Sequence, residues 1–287
     1  MMKRICYLML FVLLALVSCL DDENVVNEKS SLVVEGWIED GGFPVVILTR
    51  SIPVSQHWLD PDSLSNYLVR WATVKISDGT DSVILTGKYD RGYYPPYIYT
   101  SSRMMGEAGK TYQLTIDFND EHVTATTTIP ARPQNVSLRV VPCEDSDSLY
   151  QILLRFQDWP LEKNYYQLFT RIGTFKKQFL VSYLGSVDDA VLDKSVEIPV
   201  YRGHEFMAHD YTPFYHVNDS VTIKFAQIDE PSYHFWDDYT KVLSLSGNMF
   251  LSTYENVFSN ISGGFGCWCG LGAITRRVVI ADSIEKR

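Results

Sequence analysis

The sequence predicts a mainly β protein: an N-terminal antiparallel sandwich of the immunoglobulin or transthyretin type, then a larger β-rich domain with one helix. Three observations lead to this prediction. Short segments of alternating apolar and polar residues recur along the chain, with turn residues between them. One segment, residues 232–245, instead has the spacing of an amphipathic helix. Finally, Pro130 and Pro133 separate two groups of predicted strands.

The N-terminal sandwich is predicted over residues 28–130. Residues 31–39 alternate and end at Asp40-Gly41-Gly42, after which residues 43–50 return, as in a hairpin with a glycine turn. Residues 121–129 favour a strand because they are rich in β-branched threonine. The other predicted strands of this half are residues 69–77, 81–86 and 111–118.

The second, β-rich domain is predicted over residues 134–287. In the helix near residues 232–245, Phe235, Trp236 and Tyr239 fall on one face, which we interpret as core packing. Pro231 is placed to begin this helix and Gly247 to end it. The predicted strands of this half are residues 135–141, 149–157, 165–172, 175–184, 195–201, 221–228 and a last strand around 273–281.

Composition and charge exclude several classes of protein. The 287 residues are typical of one large domain or two ordinary ones. With 46% hydrophobic and 21% charged residues, the chain has a globular composition, which excludes wholesale disorder. The formal charge of −10 argues against a nucleic-acid binder, because such proteins need a basic surface to contact phosphates. The same charge argues against a polybasic membrane-surface protein.

Residues 1–18 are predicted to be a lipoprotein signal peptide. Lys3 and Arg4 form a positive n-region, and residues 5–17 form an apolar segment too short to span a bilayer. Leu16-Val17-Ser18-Cys19 then resembles the lipobox of bacterial lipoproteins, in which the cysteine sulfur receives a diacylglyceryl group. The alternative is an ordinary secretory signal that contains a cysteine. On the lipobox interpretation, lipid on Cys19 anchors the protein to a membrane.

An acidic tether is predicted over residues 19–27. Asp21, Asp22 and Glu23 resemble the surface-export signal of Bacteroidota lipoproteins, and they also fit a solvated acidic linker. We therefore expect a lipid-anchored outer-membrane protein that is exposed at the cell surface. Retention on the periplasmic leaflet is the alternative.

The sequence carries no motif of an enzyme, a metal site or a cofactor site, so we expect no catalytic residue, no metal and no cofactor. His204 and His209 are five residues apart, whereas the zincin motif places its histidines four apart on a helix. A metal-dependent hydrolase centred on these histidines is the least favoured alternative. Cys267 and Cys269 are separated by one residue, where zinc and redox motifs have two or more, which favours buried thiols. A disulfide from Cys143 to either of them stays open.

Candidate binding residues come from two aromatic segments. Residues 89–99 contain five tyrosines around Pro95-Pro96, and prolines resist regular strand pairing. Tyrosine has a rigid apolar face and a polar tip, which suit it to interfaces and ligand contacts. The candidates for binding a ligand or partner are Tyr93, Tyr94, Tyr97 and, in the long loop 54–66, Trp58. The alternative is that alternate tyrosines pack in the sandwich core.

Several segments together resemble a family of Bacteroidota outer-membrane lipoproteins that is known as a domain of unknown function (DUF4249). The segments are residues 32–38 (LVVEGWI), 109–114 (GKTYQL), 164–166 (NYY) and 258–266 (FSNISGGFG). Cys267-Trp268-Cys269 departs from the family pattern, in which a residue other than cysteine follows the last glycine. The resemblance carries no catalytic residues over to this chain. It implies a protein that assists uptake or assembly beside a TonB-dependent transporter.

We therefore expect a non-enzymatic, lipid-anchored accessory protein that binds a TonB-dependent β-barrel transporter or its cargo. The lipid would confine the protein to the membrane plane and so raise its effective concentration near that partner. The alternative is a surface module that binds a glycan or a peptide without a transporter. No nucleic-acid partner is expected.

Overall fold

The computed structural model describes residues 30–52, 65–144, 146, 148–158, 163–188, 196–203, 211–245 and 257–281. In these residues the chain forms seventeen strands and one α-helix. The prediction of a mainly β protein with one helix is therefore confirmed.

The strands of the first half are β1 (Leu32–Glu39), β2 (Val45–Arg50), β3 (Thr73–Ser77), β4 (Ser82–Ile84), β5 (Thr86–Tyr89), β6 (Tyr97–Thr100), β7 (Thr111–Phe118) and β8 (Glu121–Thr128). Those of the second half are β9 (Gln134–Pro142), β10 (Leu149–Gln157), β11 (Tyr165–Ile172), β12 (Leu180–Asp188), β13 (Val196–Val200), β14 (Tyr215–His216), β15 (Ser220–Ile228), β16 (Ile261–Ser262) and β17 (Phe265–Val279). The helix α1 (Glu230–Leu245) lies between β15 and β16.

The strands form three sheets, and the largest takes strands from both halves of the chain. Its eight strands lie in the order β12-β11-β15-β17-β1-β2-β6-β5. A five-stranded sheet has the order β16-β8-β7-β3-β4. In the third sheet, β10 pairs with β9 along one edge and with β13 and β14 along the other.

The long strand β17 joins the two halves within the eight-stranded sheet. It runs parallel to β1 and antiparallel to β15, so each half supplies one of its neighbours. Residues 267–273 of β17 are all buried, as is typical of a parallel strand that is covered on both faces. The division of the chain at residues 130–134 stays a prediction, and the sheet itself continues from one half to the other.

The inner face of the eight-stranded sheet, which carries Val34 and Phe225, packs against both smaller sheets. The first core lies against the five-stranded sheet and includes the fully buried Trp268. The indole of Trp268 lies across Gly36, where a Cβ atom would come within 2.9 Å of the ring. Its ring N–H donates a 3.0 Å hydrogen bond to the carbonyl of Tyr112 in β7. Glycine at position 36 therefore leaves room for the largest side chain of this core.

The second core lies between the other half of the inner face and the sheet built on β10. Phe156 from β10 packs against Tyr166 and Phe225, with ring centroids 4.9 and 4.7 Å apart. Fully burying an aromatic side chain of this size stabilises a fold by about 1.5–3 kcal/mol. The two cores are separate clusters on the inner face, and between them Gly270 and Gly272 of β17 pack against the backbone of residues 128–131.

Asp229 ties the start of α1 to the end of β8. One carboxylate oxygen accepts a 3.1 Å hydrogen bond from the backbone N–H of Ser232, which is the usual contact of a helix N-cap. The other oxygen accepts from the Thr127 hydroxyl at 2.6 Å and from the Thr128 N–H at 3.2 Å. The Thr127 hydroxyl in turn accepts from the N–H of Gly270 in β17, at 2.7 Å. The Asp229 carboxylate thus links α1 to β8 directly, and the Thr127 hydroxyl extends this link to β17.

Several boundaries differ from the sequence prediction: for example, the strand predicted over residues 69–77 begins at Thr73, and that predicted over residues 81–86 is divided into β4 and β5. The last strand begins at Phe265 rather than near residue 273, because burial on both faces hides the alternation that marks an exposed strand. β12 begins at Leu180 rather than at residue 175, and Phe175 is 79% exposed. α1 begins at Glu230, directly after its Asp229 cap, and not at residue 232.

Replacing Asp229 with alanine is expected to lower the free energy of unfolding by about 2–4 kcal/mol. The change removes a helix N-cap and leaves the buried Thr127 hydroxyl and a backbone N–H without their acceptor. Urea denaturation measures the loss. The control is Asp120→Ala, at an exposed turn, which should change stability by less than about 0.5 kcal/mol. Equal effects of the two substitutions would contradict this role of Asp229.

Candidate functional site

A cleft of about 250 Å³ lies on the outer face of the eight-stranded sheet, opposite the two cores. Its floor is formed by the central strands β2, β1, β17, β15 and β11. Its walls are α1, the loop 173–179 and the tyrosine-rich loop 90–96. We refer to this space as the outer cleft.

Strand geometry places the floor residues. Side chains two residues apart on a strand point to the same face. Glu35, Trp37 and Glu39 of β1 therefore all face the cleft, while the residues between them face the core. The parallel pairing sets Glu35 opposite Cys267 and Trp37 opposite Cys269.

Aromatic rings form most of the walls. Phe235 and Trp236 of α1 lie edge to face, with ring centroids 5.0 Å apart, and Phe169 of β11 stands against Trp236 at 5.4 Å. From the other side, Tyr93 approaches Trp37 with ring centroids 6.2 Å apart. The apolar face of α1 therefore packs on the sheet and lines the cleft at the same time.

Glu35 is an acid on the floor of an apolar cleft. Its side chain keeps some accessible surface because it faces the cleft, but protein surrounds it. Burial raises the pKa of its carboxyl above the usual 4.5, and a hydrogen bond from the side-chain amide of Gln178, at 3.0 Å, partly opposes that rise. Among the described residues no lysine, arginine or histidine forms an ion pair with Glu35.

Lys224, by contrast, is fully engaged. Its ammonium group forms an ion pair with Glu39 and lies 4.6 Å from the centre of the Phe179 ring. Because the lysine side chain is only 10% exposed, the pair neutralises a charge that would be costly to bury alone. This end of the cleft therefore carries both signs of charge in balance.

The tyrosine-rich loop and the loop 173–179 are held together at the rim. The backbone N–H groups of Lys177 and Gln178 donate to the carbonyl of Gly92, at 2.7 and 3.1 Å. The Lys177 ammonium contacts Asp90 at 2.9 Å, and this contact lowers the pKa of that carboxyl. The Tyr94 N–H donates to the side-chain carbonyl of Gln178, at 2.8 Å. Gln178 is thereby fixed between the rim and Glu35.

The three described cysteines are free thiols. Cys267 and Cys269 are buried on the cleft floor, and Cys143 is half-buried elsewhere. Burial, together with the hydrogen bond to Cys269, raises the pKa of the Cys267 thiol well above its usual range. A thiol in that state packs as a small apolar group and is a poor nucleophile.

The structure separates the three candidate tyrosines. Tyr93 lines the cleft. Tyr94 is 44% exposed at the rim. Tyr97 faces away from the cleft: its hydroxyl donates to the carbonyl of Arg70, and its ring stands edge to face with Tyr99 in the first core.

Other candidates lie outside the described residues. These are Cys19, Asp21, Asp22, Glu23 and Trp58, with His204 and His209 of the alternative metal site. Within the described ranges no three histidine, cysteine or acidic side chains cluster closely enough to hold a metal ion. No helix in the part of the chain that the structure describes is both long and apolar enough to cross a membrane.

Sequence reasoning missed the main cleft residues, Glu35, Trp37, Lys224 and Trp236. Glu35 and Trp37 occupy alternate positions of a predicted strand, and alternation alone does not distinguish a cleft-facing residue from a solvent-facing one. One signal was available. Lys224 is the one charged residue of the largely buried strand β15, and a buried lysine needs an acidic partner.

The geometry suits binding. Ligand sites are concave, largely apolar and supplied with a few fixed polar groups, and the outer cleft has these features. A family model for a domain of unknown function (DUF4249) matches residues 20–276, which is most of the chain. No curated protein matches the chain.

Replacing Glu35 with glutamine is expected to change how stability depends on pH. Because the folded-state pKa of Glu35 is raised, its ionisation destabilises the fold as the pH rises from the unfolded-state value through the folded-state value. Denaturation of both proteins between about pH 4 and pH 8 should show the variant gaining stability over the native protein as the pH rises.

The control for this experiment is Glu144→Gln, at an exposed position. Its difference from the native protein should stay constant across the same range. A constant difference for Glu35→Gln as well would show that the Glu35 carboxyl is as well solvated in the folded protein as in the unfolded chain.

Proposed function

The chain belongs to the DUF4249 family, and on that premise we propose that it is a lipid-anchored outer-membrane protein that binds a small ligand in the outer cleft. We further propose that it acts without catalysis, beside a TonB-dependent transporter. It would hold the cargo of that transporter close to the membrane.

One observation carries the binding proposal: an aromatic-walled cleft of about 250 Å³ with a buried carboxyl on its floor. A sheet face of this kind is usually covered by a second layer, as the inner face is. On the outer face, α1 and two loops leave a central space between them. The space is bounded by rings, whose broad apolar faces suit ligand contact.

The chemistry of the cleft supports binding over catalysis. A cysteine acts as a nucleophile only as the thiolate, and the pKa of Cys267 is raised. Lys224 is held by Glu39, and Lys177 by Asp90. These groups are arranged to satisfy one another rather than to transfer protons to a substrate.

The anchoring proposal is supported by the segment Leu16-Val17-Ser18-Cys19 and the acids that follow it. Between Cys19 and the start of β1 the chain has thirteen steps, which span at most about 45 Å when extended. A tether of this reach holds the folded part near the bilayer and raises its effective concentration beside a membrane partner.

Cys19→Ala is expected to release the protein from the membrane, because the variant lacks the sulfur that would carry the lipid. Fractionation of cell envelopes measures the release, and pull-down in mild detergent measures partner recovery. The native protein should sediment with outer membranes and recover a β-barrel transporter. Cys143→Ala is the matched control and should behave as the native protein. Recovery of the native protein alone would remove the transporter from the proposal and favour the stand-alone module.

Trp37→Ala is expected to abolish retention of a bound small molecule, because it removes a ring from the floor of the cleft. Native mass spectrometry of protein purified from its own outer membrane measures retention as added mass. Trp71→Ala is the matched control, since Trp71 is 89% exposed and does not line the cleft. Equal retention by both variants, or none by the native protein, would contradict binding in the cleft.

A further inference from the structure

Of the charged side chains that line the outer cleft in the described residues, Glu35 alone forms no ion pair. Lys224 is paired with Glu39, and Lys177 at the rim is paired with Asp90. Arg171 lies over the Phe179 ring, 4.5 Å from its centre, and donates to the carbonyl of Lys177. Within the described residues, Glu35 accepts a hydrogen bond from the side-chain amide of Gln178 and forms no ion pair. A ligand that brings a positive charge to this carboxyl would therefore complete the charge balance on the floor.

An aromatic ring lies within reach of any cation that contacts Glu35. Trp37 is two residues along the same strand face, about 7 Å away by strand geometry. A cation between these two positions would contact the carboxylate and lie within about 6 Å of a ring centre, the range of a cation–π interaction. The rings of Tyr93 and Trp236 bound the same space.

The volume limits the size of the ligand. A cavity of about 150 Å³ accommodates benzene, so a cleft of about 250 Å³ accommodates about ten non-hydrogen atoms. A single amine with one small ring or a short branched chain has this size. A folded peptide segment or an oligosaccharide does not fit within it.

Resting on the proposed binding function, we propose that the outer cleft binds a small organic cation, with its ammonium group against Glu35 and its apolar part against Trp37, Tyr93 and Trp236. The ammonium group supplies the countercharge that Glu35 lacks. The rings provide both apolar contact and a negative face toward the charge.

The same contacts disfavour the other ligand classes. An anion in the cleft would need a free cation in the lining, and both lysines that line the cleft are held by acids. Arg171, which forms no ion pair within the described residues, stacks on the Phe179 ring and does not line the cleft. It would also face Glu35 directly. A neutral ligand would fill the space but leave the Glu35 carboxyl without a counterion, so it would gain only the apolar contacts.

The test uses three compounds of matched size and shape: phenethylamine, 2-phenylethanol and phenylacetate. Isothermal titration calorimetry near neutral pH with the full chain measures their dissociation constants. Phenethylamine should bind about tenfold or more tightly than 2-phenylethanol, and phenylacetate should bind most weakly. Glu35→Gln should reduce phenethylamine binding to the level of the alcohol and leave the alcohol unchanged. Trp37→Ala should weaken both, Trp37→Phe should weaken them less, and Trp71→Ala should have no effect.

The outcomes separate this inference from the proposed function. Equal binding of the alcohol and the amine, or tightest binding of phenylacetate, contradicts the proposal that the cleft binds a cation. If that binding still depends on Trp37, the cleft remains a binding site. Binding of the amine that is unaffected by Glu35→Gln overturns the assigned contact. No binding of any compound, or binding that neither Trp37 variant affects, contradicts the proposal that the cleft binds a cation. Either result also contradicts the proposal that the outer cleft is a binding site.

Discussion

The parallel pairing of β1 with β17 is the constraint on which the rest of the structure depends. It brings the first and last described strands side by side at the centre of one sheet, so that the two halves share a sheet rather than only touch. It also fixes the register that puts Glu35 beside Cys267 and Trp37 beside Cys269. A shift of one residue would turn these side chains into the core, because successive side chains of a strand point to opposite faces.

The two faces of this sheet carry different kinds of side chain. The inner face is filled by apolar side chains, and Gly36 is present because Trp268 occupies the space where a side chain would lie. The outer face carries ionisable groups, which are costly to bury unless they are paired. Lys224 and Glu39 satisfy that condition with each other, whereas Glu35 forms no ion pair within the described residues and burial raises the pKa of its carboxyl. Proteins place such poorly stabilised groups at functional sites more often than elsewhere, which is the physical reason to assign function to this face.

Local patterns in the sequence were enough to predict much of the fold. Alternation and turn glycines predicted the β1–β2 hairpin, and the spacing of Phe235, Trp236 and Tyr239 predicted α1. The pairing of β1 with β17 could not be predicted in this way, because no local pattern identifies a partner strand at the other end of the chain. The early part of β17 was missed for a related reason: burial on both faces removes alternation.

The same limit applied to the cleft. Tyr93 was a candidate because of its aromatic neighbourhood and it does line the cleft, while Tyr97, chosen on the same grounds, packs toward the core. Residue type alone could not separate them, since the distinction depends on which face of the chain each ring occupies. The pKa of Glu35 depends on its burial in the cleft and on its contact with Gln178. The cleft walls include α1 and the loop 173–179, which lie far from Glu35 in sequence.

The most direct measurement of the central claim is an experimental structure of the protein isolated from its own outer membrane. If the outer cleft is a binding site, density for a small molecule should lie between Trp37 and Trp236, in contact with the Glu35 carboxyl. A cleft closed by its own side chains, with Glu35 turned out to bulk water, would contradict the account.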